Sequence, residues 1–381
     1  MWALTEANAV DYLRQSGRLP TGEVMVKSLT GGVASTVLMI FEVEAGDFIG
    51  TDLRSPAQIK RGIPDLRSRA GRCYVLKQPE AQFRTAAEWK VDTDRLWVER
   101  DCMQLLNDIL PAGSLPQPLW WDEANNILAM TAAPSDAIIW KKLLLDGICP
   151  RQAAEEAGLI LAMLHTSTTQ RPELLSRYGN PRLFIQQRVD AYLRTAALRH
   201  PDLTAQFQAL ETMLLTEQLC LIHGDYTPKN IFVVPEAATE PDKPLAVDRI
   251  MLLDFEVVFY SHPAFDVASL INHLLLKAFH RPKAWRGYVI AADAFWRSYC
   301  QVASAGLSQR VALRGGQLLG ALLIARVDGK SPVEYINDAA TQERIRELGR
   351  KLLNDSMLDM DSALDYAGET LANLANAGSA K

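Results

Sequence analysis

Hydrophobic positions change their spacing about a third of the way along the chain. Up to residue 131 the apolar residues come in short β-branched and aliphatic runs, at 24–29, 37–43, 73–78 and 126–131. Runs of this kind predict strands, and Gly31-Gly32 between the first two predicts a hairpin turn. Residues 44–72 interrupt the pattern with Gly46, Gly50, Pro56, Gly62, Pro64 and Gly71, and read as a loop insertion between strands. One helix is predicted at 93–109, and Ala132-Ala133-Pro134-Ser135 reads as a link. Beyond it the period is helical. Ala157, Ile160, Leu161 and Leu164 fall at i, i+3, i+4 and i+7, and helices are expected at 182–199, 203–217, 266–278, 284–304, 307–327 and 341–354. Two apolar runs, 221–234 and 250–260, wrap around charged residues. Residues 235–249, with three prolines, read as a surface loop. The pattern predicts an α+β protein with a small β-rich lobe over 1–131 and a larger helical lobe over 132–381.

Composition narrows the class. Of 381 residues, 48% are hydrophobic and 22% charged, which excludes wholesale disorder and a disulfide-dense miniprotein. The formal charge of −5 argues against nucleic acid as the partner. Cys73, Cys102, Cys149, Cys220 and Cys300 have no C-x-x-C pairing and read as reduced thiols. The charged first twenty residues do not read as a signal peptide. The uncharged stretch between Arg314 and Arg326 falls short of the roughly 20 residues that span a bilayer. A cytoplasmic protein without a membrane partner is expected.

Candidate chemistry concentrates in one segment, Leu221-Ile222-His223-Gly224-Asp225-Tyr226-Thr227-Pro228-Lys229-Asn230. Leu252-Leu253-Asp254-Phe255-Glu256 follows, with Asp254 twenty-four residues beyond Asn230. Phosphoryl transfer needs a carboxylate to orient a hydroxyl and take its proton. It also needs oxygen ligands for Mg²⁺, and an amide oxygen plus a carboxylate suit that hard cation. Kinase sites of this type carry H-R-D-x-x-x-x-N followed by D-F-G; this chain has H-G-D-x-x-x-x-N followed by D-F-E.

On these strings, and on Pro263-Ala264-Phe265-Asp266, the chain resembles the aminoglycoside phosphotransferase, choline kinase and methylthioribose kinase superfamily. The resemblance covers residues 24 to 277. It implies a bilobal, protein-kinase-like fold that uses ATP and Mg²⁺. It makes Asp225 the catalytic base, Asn230 and Asp254 the metal ligands, and His223 and Asp266 supports of the catalytic loop. Taken singly, each string has a bland explanation, such as an Asp serving as a helix cap; order and spacing together favour the functional one.

The β-rich lobe offers an independent check. A kinase needs a strand lysine for the phosphates and a helix glutamate to hold it. Lys77 lies in a predicted strand. Glu99 shares a helix face with Cys102, Met103 and Leu106, where a carboxylate is costly unless paired. Lys77 is its expected partner. Gly31, Gly32, Ser35 and Thr36 would cover the phosphates, although Gly-Gly between strands is commonly a plain turn. Met130 and Ala132 would form the hinge that meets the adenine edge, and Met130 also suits core packing. Lys229 reads as a solvated lysine on the loop rim and His165 as a satisfied helix-end histidine. Trp120 and Trp121 read as core or loop anchors; Trp140 suits either a cleft or solvent.

The function expected is transfer of the γ-phosphoryl group of ATP to a hydroxyl of a small molecule. Only eleven residues separate Asp254 from Asp266, too few for the activation loop of a protein kinase. Sugar, amino alcohol and aminoglycoside acceptors all stay open, and D-F-E resembles the choline and methylthioribose kinases most. The alternative is a catalytically silent, kinase-like nucleotide-binding or regulatory protein. A zinc enzyme, an α/β-hydrolase and a dinucleotide oxidoreductase lack their motifs.

Overall fold

The computed structural model describes residues 2–19, 23–29, 34–43, 72–84, 89–236 and 245–379. Gly31, Gly32 and nearly all of the predicted 44–72 insertion lie outside the described residues. The chain divides into two compact units, residues 1–107 with 115–137, and residues 108–114 with 138–381.

The first unit is built on a five-stranded antiparallel sheet. Its strands are β1 (Glu23–Ser28), β2 (Ser35–Val43), β3 (Arg72–Pro79), β4 (Pro118–Asp122) and β5 (Ile127–Thr131), in the order β1-β2-β3-β5-β4. Strand alternation gives the sheet two different faces. Leu38, Ile40, Tyr74, Leu76, Ile127 and Ala129 share one face and pack with Tyr12 and Leu13 of helix α1 (Ala9–Gln15). Val75, Lys77, Leu128 and Met130 alternate with these. Helix α2 (Arg95–Asn107) lies against β3, β4 and β5. Its Glu99, Cys102, Met103 and Leu106 are all buried, as their spacing requires. Trp120 and Trp121 sit in β4, a strand that the sequence pattern left unassigned.

The second unit is helical, with two small sheets. The main helices are α3 (Arg151–Thr168), α4 (Ala264–His280), α5 (Trp285–Val302), α6 (Ala305–Asp328), α7 (Ala339–Asn354) and α8 (Met360–Ser379). Helix α4 is buried on nearly every side, which fits its continuous apolar sequence. Helices α3 and α5 approach so closely at Gly158 that an added Cβ would lie 2.3 Å from the Phe295 carbonyl. The small sheets pair β7 (Cys220–Ile222) with β10 (Phe259–Ser261), and β8 (Ile231–Pro235) with β6 (Ile138–Ile139) and β9 (Val247–Leu252). All of these strands but β6 coincide with the two apolar runs of the sequence. They bracket the charged segments and fix both ends of each.

The range 182–199 is helical, but its middle is not α. Ile185–Arg194 is a π-helix, between short α-helical turns at Arg182–Phe184 and Thr195–Arg199. Arg188 explains part of this. Its Nη1 takes the Gln187 carbonyl at 2.9 Å, and its Nε reaches out of the helix to the Gly224 carbonyl at 2.6 Å.

Candidate active site

In the first unit, β3 presents Lys77 and α2 presents Glu99. Register fixes Lys77 on both sides, opposite Val37 of β2 and Leu128 of β5. Lys77 Nζ stands 2.7 Å from Glu99 Oε2, and both side chains are buried. Ser35 is buried at the start of β2, while the Thr36 hydroxyl donates to Glu80 at 3.1 Å. Met130 is buried in β5, and Ala132, just after it, is half-buried. Sequence reasoning missed Arg95. It is fully buried, donates to the carbonyls of Ala34 and Glu80 at 2.5 and 2.8 Å, and so ties the chain entering β2 to the chain leaving β3.

In the second unit, the loop between β7 and β8 carries His223, Gly224, Asp225, Lys229 and Asn230. It is held mostly by bonds to its backbone. Both carboxylate oxygens of Asp266, in the first turn of α4, accept from it: Oδ2 from the His223 N–H at 2.6 Å and Oδ1 from the Gly224 N–H at 2.9 Å. His165 of α3 meets the same Asp266 Oδ2 at 3.2 Å and takes the Tyr299 hydroxyl on its other nitrogen at 3.0 Å. His223 Nε2 faces the Leu253 carbonyl at 3.0 Å, and its Nδ1 accepts the Asp225 N–H at 3.2 Å. These partners specify a neutral ring protonated on Nε2. Burial lowers the His223 pKa, and the surrounding Asp266, Asp225 and Asp254 only partly offset it. Gly224 has φ of +74°, and an added Cβ would lie 2.4 Å from the Val257 carbonyl, so this position requires glycine.

Asp225 is buried and faces three donors, all on Oδ2. Arg188 Nη2 lies at 3.0 Å, Lys229 Nζ at 2.8 Å and Asn230 Nδ2 at 2.8 Å. Burial alone would raise this carboxyl's pKa; the charges of Arg188 and Lys229 overcome it and hold the group well below the usual carboxylate range. Lys229 is thus not only a solvated rim lysine, since its half-exposed side chain ends on the buried carboxylate. Arg188 was missed by sequence reasoning. An arginine inside a helical pattern carries no signal of its own, and the widened turn that brings it to Asp225 is invisible to a 3.6-residue period. Burial opposes its charge, but Asp225, Tyr192, Asp254 and Glu256 together raise its pKa.

Asp254 follows β9 with φ of +69°, a left-handed conformation rare for a residue with a side chain. Such strain concentrates at functional sites. Its carboxylate and that of buried Glu256 come within 4.8 Å of each other. Asn230 turns its Nδ2 inward to both the Asp225 backbone and side chain, so its Oδ1 is the atom that could meet a cation. An amide oxygen and carboxylates are the donor types that would suit a hard cation such as Mg²⁺.

The model of the phosphotransferase enzyme family, known as APH, matches residues 65–299, well over half of the chain, and the chain belongs to that family. Methylthioribose kinase 1 of Oryza sativa subsp. japonica is 23% identical over 233 residues, covering 54% of this chain. The chain spans about half, 51%, of the length of this curated relative. Among solved structures, a choline/ethanolamine kinase family protein from Mesorhizobium loti aligns over 95% of this chain and 98% of its own, at 14% identity and a TM-score of 0.46. A choline kinase from Streptococcus pneumoniae aligns over 92% and 99%, at 14% identity and a TM-score of 0.45. No helix among the described residues is long and apolar enough to cross a membrane.

Proposed function

We propose that the chain is a small-molecule kinase, moving the γ-phosphoryl group of ATP to a hydroxyl of a sugar, amino alcohol or aminoglycoside-like acceptor. The observation that carries this is the state of Asp225. Three donors converge on Oδ2 and leave Oδ1 as the face that can receive a hydroxyl proton. The bond from the acceptor oxygen to γ-phosphorus forms as the bond from γ-phosphorus to the β,γ-bridging oxygen breaks, and the acceptor proton passes to Asp225. A carboxylate held this far into its ionised form is a weak base. That suits a loose transition state, in which orientation matters more than proton abstraction.

Residues 1–131 serve the nucleotide in this reading, with Lys77 and Glu99 for phosphate charge, Gly31, Gly32, Ser35 and Thr36 over the phosphates, and Met130 and Ala132 at the adenine. Residues 132–381 serve the acceptor, with His223 and Asp266 supporting the loop. Asn230 and Asp254 are the residues for Mg²⁺, which when bound supplies charge neutralisation at the phosphates. The protein would work in the cytoplasm.

The test is ADP release from ATP and Mg²⁺ across a panel of choline, methylthioribose, polyols and aminoglycosides. Acceptor-dependent turnover that Asp225→Asn removes supports the reading. If no compound stimulates turnover and nucleotide still binds, the chain is a silent nucleotide-binding protein instead.

A further inference from the structure

The helical unit holds two basic side chains, one buried and one half-buried, that the proposed chemistry does not use. Lys277 of α4 is 1% exposed. Its Nζ donates to the His273 carbonyl at 3.2 Å and lies 5.3 Å from the centre of the Tyr335 ring. Arg326 of α6 is half-buried; Nη1 makes one long bond to the Tyr192 hydroxyl at 3.4 Å, and Nε is buried without a partner. Neither residue has a carboxylate within ion-pair distance among the described residues. The nearby Glu334 is already engaged by Lys141 at 2.5 Å. Buried charges are ordinarily paired, because burial without a counter-charge costs several kcal/mol. A surplus of this kind is a place prepared for an anion.

The Arg326 part of the surplus is linked to Asp225 through Tyr192 and Arg188. Tyr192 is near both arginines, with the Arg188 guanidinium 5.7 Å and the Arg326 guanidinium 5.5 Å from its ring centre. Arg188 is bonded to Asp225 itself. His273 lies one helical turn before Lys277, and its carbonyl accepts from Lys277 Nζ. Helices α4 and α6 pack directly on each other. Arg326, Tyr192 and Arg188 thus connect the surplus to Asp225 within one unit.

We infer that the acceptor is an anionic hydroxy compound, whose carboxylate or similar group is received by Arg326 and Lys277 while its hydroxyl faces Asp225. This rests on the phosphotransferase reading and sharpens it. Cationic acceptors such as choline or an aminoglycoside would meet like charge.

The test uses three compounds with one six-carbon polyol chain and different ends: D-gluconate with a carboxylate, D-glucitol with a hydroxymethyl and D-glucamine with an ammonium. Calorimetric titration of the full chain is expected to show gluconate binding at least about tenfold more tightly than glucitol, with glucamine weakest. Arg326→Met is expected to bring gluconate within about threefold of glucitol. Lys277→Met provides the same readout should the first variant fail to fold. No binding of gluconate, equal affinities, a preference for glucamine, or discrimination that survives in a folded variant overturns the inference. ADP release is measured alongside. Its absence with all three compounds, while the anion preference persists, would remove the kinase reading and leave the anion site standing.

Discussion

The two units handle charge in opposite ways. The β-rich unit buries one lysine and one glutamate and pairs them at 2.7 Å. The helical unit crowds Asp225, Arg188, Lys229 and Asn230 around one loop and leaves Arg326 and Lys277 in excess. Positioning differs too. Lys77 is aimed by sheet register, which needs nothing beyond backbone pairing on either side. Asp225 lies on a loop, so distant side chains must substitute for a ladder: Asp266 holds two of its N–H groups, and Arg188 holds the Gly224 carbonyl. A strand can place a charged group cheaply. A loop needs several buried polar residues to do the same.

The contrast can be broken at four points. Asp225→Asn should lower turnover by about 10³-fold, with the folded state retained by circular dichroism; activity within a few-fold of the parent would remove Asp225 from the chemistry. Lys77→Met takes away the cation beside buried Glu99 and should cost about 3 kcal/mol in urea unfolding. Adding Glu99→Leu should recover much of that loss, and a double variant no more stable than the single would mean that the unpaired carboxylate is not what the first change costs. Gly224→Ala should cost about 2 kcal/mol through its positive φ and the Val257 carbonyl, where the same change at exposed Gly306 should cost little.

The smallest effect per measured step is a pH slope. Lys277 is pushed down to about 7 from an ordinary 10.5, first by burial and then by Lys141 and Arg326, against the partial relief of Glu334 and Cys149. Between those two values the unfolded chain holds the proton that the folded chain has lost, so stability rises with pH across that window and the slope vanishes below it. The contribution is at most about 1.4 kcal/mol per pH unit. Urea unfolding at two alkaline pH values should show a steeper rise in the parent than in Lys277→Met; identical slopes would mean that Lys277 titrates normally.

Much of this was legible before any coordinates. The change from period 2 to period 3.6 marked the β-rich and helical regions, and the apolar face of α2 exposed Glu99 as a carboxylate in need of a partner. The Asp-Asn spacing and D-F-E located the loop because they are local in sequence. Arg188, Arg95, Lys277 and Arg326 were not legible. Each is a cation inside a pattern that gives cations no special meaning, and each matters through residues far away in the chain. Strand β4 was hidden for another reason. Its burial alternates weakly, and Leu119 and Trp121 lie on the exposed side.

The π-helix at Ile185–Arg194 also has a history written into its geometry. A π turn differs from an α turn by one residue, so such a segment is reached by a single-codon insertion in an ordinary helix. Removing one residue ahead of Arg188 would restore α geometry and swing the guanidinium by about 100° around the axis, away from Asp225. A chain with that residue removed would hold Asp225 without Arg188 and would leave its charge to Lys229 and Asn230.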